Sequence, residues 1–278
     1  MSEIHSTGDL EAMARYRIDR SRLPPGLAAR AVELELDDET RDFAAAAAAG
    51  RHGRALSLLH GLLGTFLSDF DVNALLGTYP LFLLSAAQWR RMLGPGRVPR
   101  YLDVGAGSGD VTLRIAPLAE HVETTETSRL MARRLRRRGF ACRTLDLAEV
   151  ELDSGFDLIT CLNVVDRCAR PSTLLARLAR ALAPGGRLVV ATPLPYDPFV
   201  YAGGTTHPPA ERLPLDAGDW ETGATELATR ALAPLGLEVC TLTRGPYLSG
   251  GDPGRSLYVL DDAVVVCRRS GDSVASAP

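Results

Sequence analysis

Between Arg100 and Ala116 the chain reads RYLDVGAGSGDVTLRIA, an apolar strand that ends on Asp103 and runs directly into glycines at 105, 107 and 109. Glycine loses more conformational entropy on folding than any other residue. Three of them between a strand and a helix are explained by positive φ, or by a ligand lying so close to the backbone that a side chain would crowd it. A loop of this kind at a strand's carboxyl end suits a nucleoside-type cofactor, and it calls for an acidic partner about twenty residues on. Glu126 is that partner. It closes the next apolar segment, HVETTE, where a carboxylate can accept hydrogen bonds from ribose hydroxyls.

The spacing separates cofactor classes. A dinucleotide fingerprint is G-x-G-x-x-G with its pyrophosphate on a helix N-terminus, whereas here the run is G-x-G-x-G and the next residue is Asp110. A carboxylate there would repel a pyrophosphate. With Asp103 before the turn, the acidic groups suit a cationic ligand, and the sulfonium and ammonium of S-adenosylmethionine fit that description. Asp103, Gly105, Gly107 and Glu126 are therefore the expected cofactor-binding set. Asp146, after the third strand, is expected to touch the cofactor loop near adenine, with a solvent-exposed turn carboxylate as the alternative reading.

Around this motif the pattern alternates strand and helix. Strands are expected near 100–104, 121–126, 140–145, 156–162 and 187–192, with helices near 108–119, 127–138 and 171–182, the last stopped by Pro184-Gly185-Gly186. That order implies parallel strands. Two further strands, near 236–243 and 257–268, are joined by the Gly/Pro-rich RGPYLSGGDPGRS and suit an antiparallel edge hairpin. The fold class is thus α/β, a seven-stranded Rossmann-like sheet, mostly parallel, with an N-terminal helical extension. Residues 1–38 are expected as a partly ordered arm, 39–97 as a helical cap, 98–270 as the cofactor-binding domain and 271–278 as a disordered tail. In the cap, Asp37 or Asp38 starts a helix through the alanines at 44–49, helical spacing continues at Leu56, Leu59, Leu63, Phe66 and Leu67, and a second helix is expected over 81–92. Residues 193–219 form a Pro/Gly-rich insertion at a strand's carboxyl end, where so long a connection is expected to serve the cleft.

Composition narrows the partners. At 278 residues, 46% hydrophobic content and a net charge of −3, the chain can bury one substantial core and has no overall basic character. The basic run Arg133–Arg138 falls where a helix should expose one face, so no nucleic-acid partner is expected. The N-terminus is polar and no apolar run approaches a membrane span, which gives a cytoplasmic monomer without membrane contact as the expectation. The five cysteines, at 142, 161, 168, 240 and 267, show no metal-like spacing and are expected to be reduced. The five histidines, at 5, 52, 60, 121 and 207, do not group with cysteines or carboxylates, so no metal is expected.

At the fourth strand's end stands Cys161-LNVVDR-Cys168, which places Asn163 and Asp166 three residues apart, able to converge if the segment turns helically. Together with LDVGAGSGDVT, TPLPYDPFV, TRGPYLSGGD and YVLDDAVVV, over about residues 56–268, this segment resembles the DREV family of protein-histidine N-pros-methyltransferases, which modify histidines in His-x-His segments. Against animal members the chain is expected to differ in having no N-terminal targeting segment and in its proline/alanine-rich composition, and the sequence contains no His-x-His.

The resemblance implies a class I methyltransferase fold, S-adenosylmethionine as cofactor and a histidine-containing protein or peptide as substrate. It also implies roles for Asp166, Asn163 and Tyr247 at the substrate, Asn163 serving the cofactor as well. Chemistry agrees, since neutral imidazole has one N–H and one lone pair, and only the lone-pair nitrogen can attack a methyl group. A carboxylate at Asp166 that accepts the distal N–H leaves the pros nitrogen as nucleophile. A helix cap or an ion pair with Arg167 or Arg170 is the structural alternative for Asp166, and a packed loop anchor is that for Tyr247. A small-molecule methyltransferase and a non-catalytic cofactor-binding regulator remain alternative functions.

Overall fold

The structure, a computed structural model, describes residues 14–49, 80–202, 205–252 and 255–272. Eight of the strands form one sheet: β1 Leu81–Phe82, β2 Val98–Val104, β3 Ala119–Glu126, β4 Ala141–Thr144, β5 Phe156–Leu162, β6 Leu182–Pro193, β9 Leu237–Asp252 and β10 Arg255–Arg269. Their spatial order is β1-β9-β10-β6-β5-β2-β3-β4. Strands β2 to β6 pair in parallel, while β10 runs antiparallel to both β6 and β9. The chain order reverses at β2, which has β3 on one side and β5 on the other. The carboxyl ends around this switch point are where such sheets bind ligands.

Each buried strand feeds two core layers because alternate side chains point to opposite faces. On β5, Ile159 and Cys161 join one cluster with Leu174, Leu178 and Leu227, while Leu158 joins the other with Trp89, Tyr101 and Ile115. On β10, Ala263, Val265 and Cys267 face the first layer, and Val264 and Val266 the second. The α-helices among the described residues are α1 Pro25–Ala28, α2 Asp38–Ala49, α3 Ala86–Leu93, α4 Thr112–Ile115, α5 Arg129–Arg137, α6 Pro171–Ala181 and α7 Trp220–Glu226.

Several expectations change. The sheet has eight strands, not seven, because Leu81–Phe82, read as the start of a helix, pairs with Ser249 and Leu248 at the edge of β9. The helix begins only at Ala86, where Ser85 caps Gln88 N and Gln88 returns a hydrogen bond to Ser85 N in a capping box. The helix expected over 108–119 is a single turn, Thr112–Ile115, followed by a 3₁₀ turn through Pro117, whose missing N–H ends the ladder. The last two strands run to Asp252 and from Arg255, so most of the Gly/Pro-rich stretch is ladder, not loop. Helix α7, capped by Asp219 accepting from Thr222 N, was not anticipated.

Asp37 does cap the helix over Asp38–Ala49, accepting from Thr40 N at 3.0 Å and Thr40 Oγ1 at 2.6 Å. The helical spacing from Leu56 to Leu67 lies outside the described residues. Within the arm, Ile18, Leu23, Leu27, Ala31 and Leu34 are buried, and Val32 N donates to Leu242 O at 2.8 Å, so this segment packs along β9. The insertion after β6 carries a small ribbon, β7 Val200–Ala202 against β8 Thr205–His207.

Candidate active site

The glycine loop leaves β2 with φ of +65°, +54° and +80° at Gly105, Gly107 and Gly109, a region that L side chains avoid. The three glycines have different reasons. A Cβ on Gly109 would meet Leu135 Cδ2 at 2.8 Å and Phe140 Cε2 at 3.2 Å, so this glycine serves the packing of α5 and not a ligand. A Cβ on Gly105 would meet Val164 Cγ2 at 2.7 Å, which seats the turn after β5 directly against the loop. Among the described residues, a Cβ on Gly107 would meet only Leu81 Cδ1, at 3.8 Å, so none of them closes this stretch of backbone to a ligand.

Glu126, at the end of β3, ties this loop to the next helix. Its Oε2 accepts from Gly107 N at 3.0 Å, and Oε1 accepts from Thr127 N at 2.8 Å and Ser128 N at 3.0 Å. The carboxylate thus stands between the loop and the start of α5, the place from which a strand-end acid reaches ribose hydroxyls. Asp103 does not face the cleft as expected. It is buried, Oδ2 accepts from Thr112 Oγ1 at 2.5 Å, and Oδ1 accepts from Thr160 Oγ1 at 2.6 Å. Burial pushes its carboxyl up to about 6, against the two threonine hydrogen bonds that favour the ionised form.

Asp110 also changes role. Its Oδ1 pairs with Arg138 Nη1 at 2.6 Å, while Oδ2 accepts from Ser108 Oγ at 2.6 Å and Leu81 N at 3.2 Å. Burial alone would raise its pKa, but these hydrogen bonds and the arginine charge outweigh it and hold the group below the usual range. With its charge balanced by Arg138, Asp110 holds the loop and is not the free acidic group for a cationic ligand that the sequence suggests. Asp146 is exposed, and its Oδ1 accepts from Ala148 N at 2.8 Å, the contact of a turn carboxylate.

The second half of the site lies at the end of β5. Asn163 has φ of +55°, a conformation that asparagine tolerates better than most residues, and its N donates to Ala191 O at 2.9 Å. Its Nδ2 donates to Asp262 Oδ2 at 2.8 Å, and its Oδ1 is buried with no hydrogen-bond partner. One turn on, Asp166 is 1% exposed and neither carboxylate oxygen receives a directed hydrogen bond. Arg167 Nη1 lies 2.7 Å from Asp166 Oδ2, yet its N–H is aimed at the Asp166 carbonyl, 2.8 Å away. Opposite charge is present without a bond that would satisfy the carboxylate. Burial raises the Asp166 pKa and Arg167 opposes the rise.

Tyr247 sits on β9, opposite Leu260, and not in a loop, because the ladder continues past it. Burial raises its hydroxyl pKa, and the charges of Asp262, Asp166 and Asp110 add to the rise, so these groups share one electrostatic neighbourhood. The structure therefore brings together Asn163, Asp166 and Tyr247, and adds Asp262, which sequence reasoning missed. The available signal was the Asp261-Asp262 pair interrupting an apolar strand, YVLDDAVVV. Asp261 turns to Arg244, with Arg244 Nη2 at 2.6 Å from its Oδ2, while Asp262 turns into the site. The insertion closes over this corner: Phe199 N donates to Asp166 O at 3.0 Å, Tyr196 Oη donates to Val165 O at 2.9 Å, and the Arg167 guanidinium lies 3.9 Å from the Phe199 ring centroid.

Among the described residues, no cluster of three His, Cys, Asp or Glu side chains could hold a metal ion, and no helix is long and apolar enough to cross a membrane. All five cysteines are free, with Cys161 and Cys267 buried. The open backbone at Gly107, the Glu126 carboxylate beside it and the unpartnered polar atoms at the end of β5 fit S-adenosylmethionine, the methyl donor.

The chain is 31% identical over 148 residues to the demethylmenaquinone methyltransferase of Tropheryma whipplei (strain Twist), covering 50% of this chain and 60% of that protein. It is 26% identical over 101 residues to the ubiquinone biosynthesis O-methyltransferase of Xanthomonas oryzae pv. oryzae (strain PXO99A), covering 34% and 42% respectively. The chain thus spans about half the length of these relatives. Among solved structures, N-methyltransferase NodS from Bradyrhizobium japonicum WM9, in complex with S-adenosyl-l-homocysteine, matches with a TM-score of 0.45 at 18% identity, over 66% of this chain and 85% of that one. The family model for DREV methyltransferase matches residues 15–269, nearly the whole described chain from the arm through β10, and the chain belongs to the DREV methyltransferase family.

Proposed function

We propose that this chain transfers a methyl group to the pros nitrogen of histidine in a protein or peptide segment of His-x-His type. The observation that carries the reading is Asp166: a carboxylate buried at the end of β5, free of any directed hydrogen bond, beside an asparagine whose Oδ1 is also unpartnered. Buried polar groups without partners are rare in native proteins, and at a cleft they mark places where a ligand completes the set.

Bound S-adenosylmethionine supplies an electrophilic sulfonium methyl. The protein's part is to choose the nitrogen that meets it. The Asp166 carboxylate accepts the N–H of the distal nitrogen, which leaves the lone pair on the pros nitrogen, and it stabilises the positive charge that grows on the ring. A carboxyl held above its usual range is also a better proton acceptor than free aspartate, the direction this role needs. To reach it, the ring takes the place of Arg167 Nη1, 2.7 Å from Asp166 Oδ2, at the edge of a guanidinium that stacks on Phe199. Asn163 offers Oδ1 and Tyr247 its hydroxyl to orient the acceptor, while Gly105, Gly107, Glu126 and Asp146 hold the cofactor side. Asp103 supports the loop from beneath through Thr112 and Thr160.

A small-molecule acceptor is the second reading, favoured by the two relatives, whose names place them in quinone biosynthesis. Incubation with labelled S-adenosylmethionine and a His-x-His peptide library, with mass spectrometry locating the methyl group, tests the proposal. Label on histidine at the pros nitrogen is the expected result. Label on quinone-like phenols with none on peptide would replace it with the second reading.

A further inference from the structure

Asp262 stands in the middle of β10, between Asp261 and Ala263, opposite Pro193 on β6 and Gly245 on β9. It is 0% exposed, and among the described residues its only directed hydrogen bond is the one that Oδ2 accepts from Asn163 Nδ2; Oδ1 has no partner. Such a group is a poor choice for stability. A buried carboxylate without full pairing costs several kcal/mol of desolvation, and an apolar side chain of similar volume at the same place is commonly neutral or stabilising. The neighbours on its face of β10, Val264 and Val266, show that the second core layer accepts an apolar residue there.

What the carboxylate does that a leucine would not is fix the asparagine amide. An amide presents a donor on one side and an acceptor on the other, and the two ends exchange by rotation. The carboxyl oxygen of Asp262 accepts from Nδ2 and draws it toward β10, so Oδ1 faces the other way, where it is buried without a partner among the described residues. The Asn163 backbone is held independently by its N–H to Ala191 O, leaving the amide rotation as the freedom that Asp262 removes.

We infer that Asp262 is a positioning residue for methyl transfer: it acts through Asn163, holding that amide so that Oδ1 is presented to the site as a hydrogen-bond acceptor. The inference rests on the proposed function for the identity of the acceptor, but the amide orientation itself does not depend on it.

The test compares wild type with Asp262→Leu, Asp262→Asn, Asn163→Ala and the double variant Asn163→Ala/Asp262→Leu, using the full chain. Three quantities are read: the melting temperature, single-turnover methyl transfer to a His-x-His peptide, and the ¹H–¹⁵N signal of the Asn163 side-chain amide. Asp262→Leu is expected to melt at or above the wild-type temperature while losing at least about thirtyfold in transfer. Asp262→Asn, which retains an acceptor oxygen, is expected to recover most of that loss. The double variant is expected to be no slower than Asn163→Ala, because residues that act through one group are not additive. The amide signal, set in wild type by the hydrogen bond to Asp262, should move in Asp262→Leu while the backbone signal of Ala191 stays in place. Additive losses in the double variant, or an unmoved Asn163 amide signal, overturn the inference. If wild type methylates no histidine, the proposed function fails alone, and the amide signal decides the role of Asp262.

Discussion

Replacing Asp166 with asparagine keeps the shape of the side chain and removes its charge, so it isolates the step in which a developing imidazolium is stabilised. A carboxylate and an imidazolium about 4 Å apart attract by about 4 kcal/mol at an effective dielectric of about 20. Arg167, stacked on Phe199 with Nη1 2.7 Å from the same carboxylate, offsets a part of this. Taking about 3 kcal/mol as the share felt only in the transition state, the loss in rate is at least about a hundredfold. Selectivity should fall with rate, because the asparagine NH₂ can face the ring and favour the opposite tautomer, so residual product is expected as a mixture of pros and tele isomers.

Two controls separate this from damage. Glu126 and Gly107 are tied to each other and not to Asp166, so calorimetric affinity for S-adenosylmethionine should stay near that of wild type. The melting temperature should not fall, since the substitution removes a buried charge that no directed hydrogen bond satisfies. Single-turnover rates with labelled cofactor, and fragment-level mass spectrometry against both methylhistidine standards, give the answer. Wild-type rate with pros selectivity intact would refute the reasoning and leave Asp166 as a partner of Arg167 alone.

Glu126→Ala should weaken S-adenosylmethionine binding by roughly one or two orders of magnitude in a folded protein, because it removes the ribose acceptor and frees Gly107 N; unchanged affinity by calorimetry would mean that the cofactor lies elsewhere. Gly109→Ala should lower the melting temperature by about 5–15 °C, from left-handed strain plus a Cβ driven against Leu135, each costing about 1–3 kcal/mol. Gly139→Ala, at φ of +91° with nothing within 4 Å, should show the strain alone, and equal drops in the two variants would contradict the packing role of Gly109. For Asp103 the folded pKa, about 6, lies above the unfolded value of about 3.9, so the folded state binds the extra proton. Its contribution to stability is full below about pH 4 and is lost as pH rises through about 6, a swing of about 3 kcal/mol. Denaturation curves of wild type and Asp103→Asn at pH 4 and pH 7 should therefore differ in that direction, and parallel behaviour would count against it.

The parts of this molecule that were legible in the sequence are those whose signal is local. The β2-loop pattern, the alternation that gives β5, the Pro171–Ala181 helix with its Pro-Gly-Gly stop and the Asp37 cap all depend on residues within a turn or two of each other. What was not legible depends on partners far along the chain. Leu81–Phe82 looks helical until β9 supplies an edge at Leu248 and Ser249. Helix α7 continues as a wide turn over Leu227–Leu232, and its apolar spacing at Trp220, Ala224, Leu227 and Ala231 was hidden by the Pro/Gly-rich stretch before it. Asp110 and Asp103 read as ligands because a carboxylate near a glycine loop is ambiguous. Arg138, 28 residues on, and Thr160, 57 residues on, decide that both serve the protein.

The same contrast explains why the two halves of the site differ in kind. On the cofactor side the polar groups are satisfied by the fold: Glu126 has three backbone donors, Asp110 has Arg138, Ser108 and Leu81, and Asp103 has two hydroxyls. These groups set a shape that exists before any ligand arrives, which is what a loop must do to receive a cofactor with little reordering. On the acceptor side, among the described residues, Asn163 Oδ1, Asp262 Oδ1 and both oxygens of Asp166 receive no directed hydrogen bond, Asp166 having only the nearby Arg167 charge. Each such group lowers stability, and a strand that continues into the buried Ala263, Val264, Val265 and Val266 offers no packing reason for a carboxylate at 262. These atoms lie where β5, β6 and β10 meet, and under the proposed function the acceptor ring would bring one N–H and a developing positive charge to the Asp166 carboxylate among them.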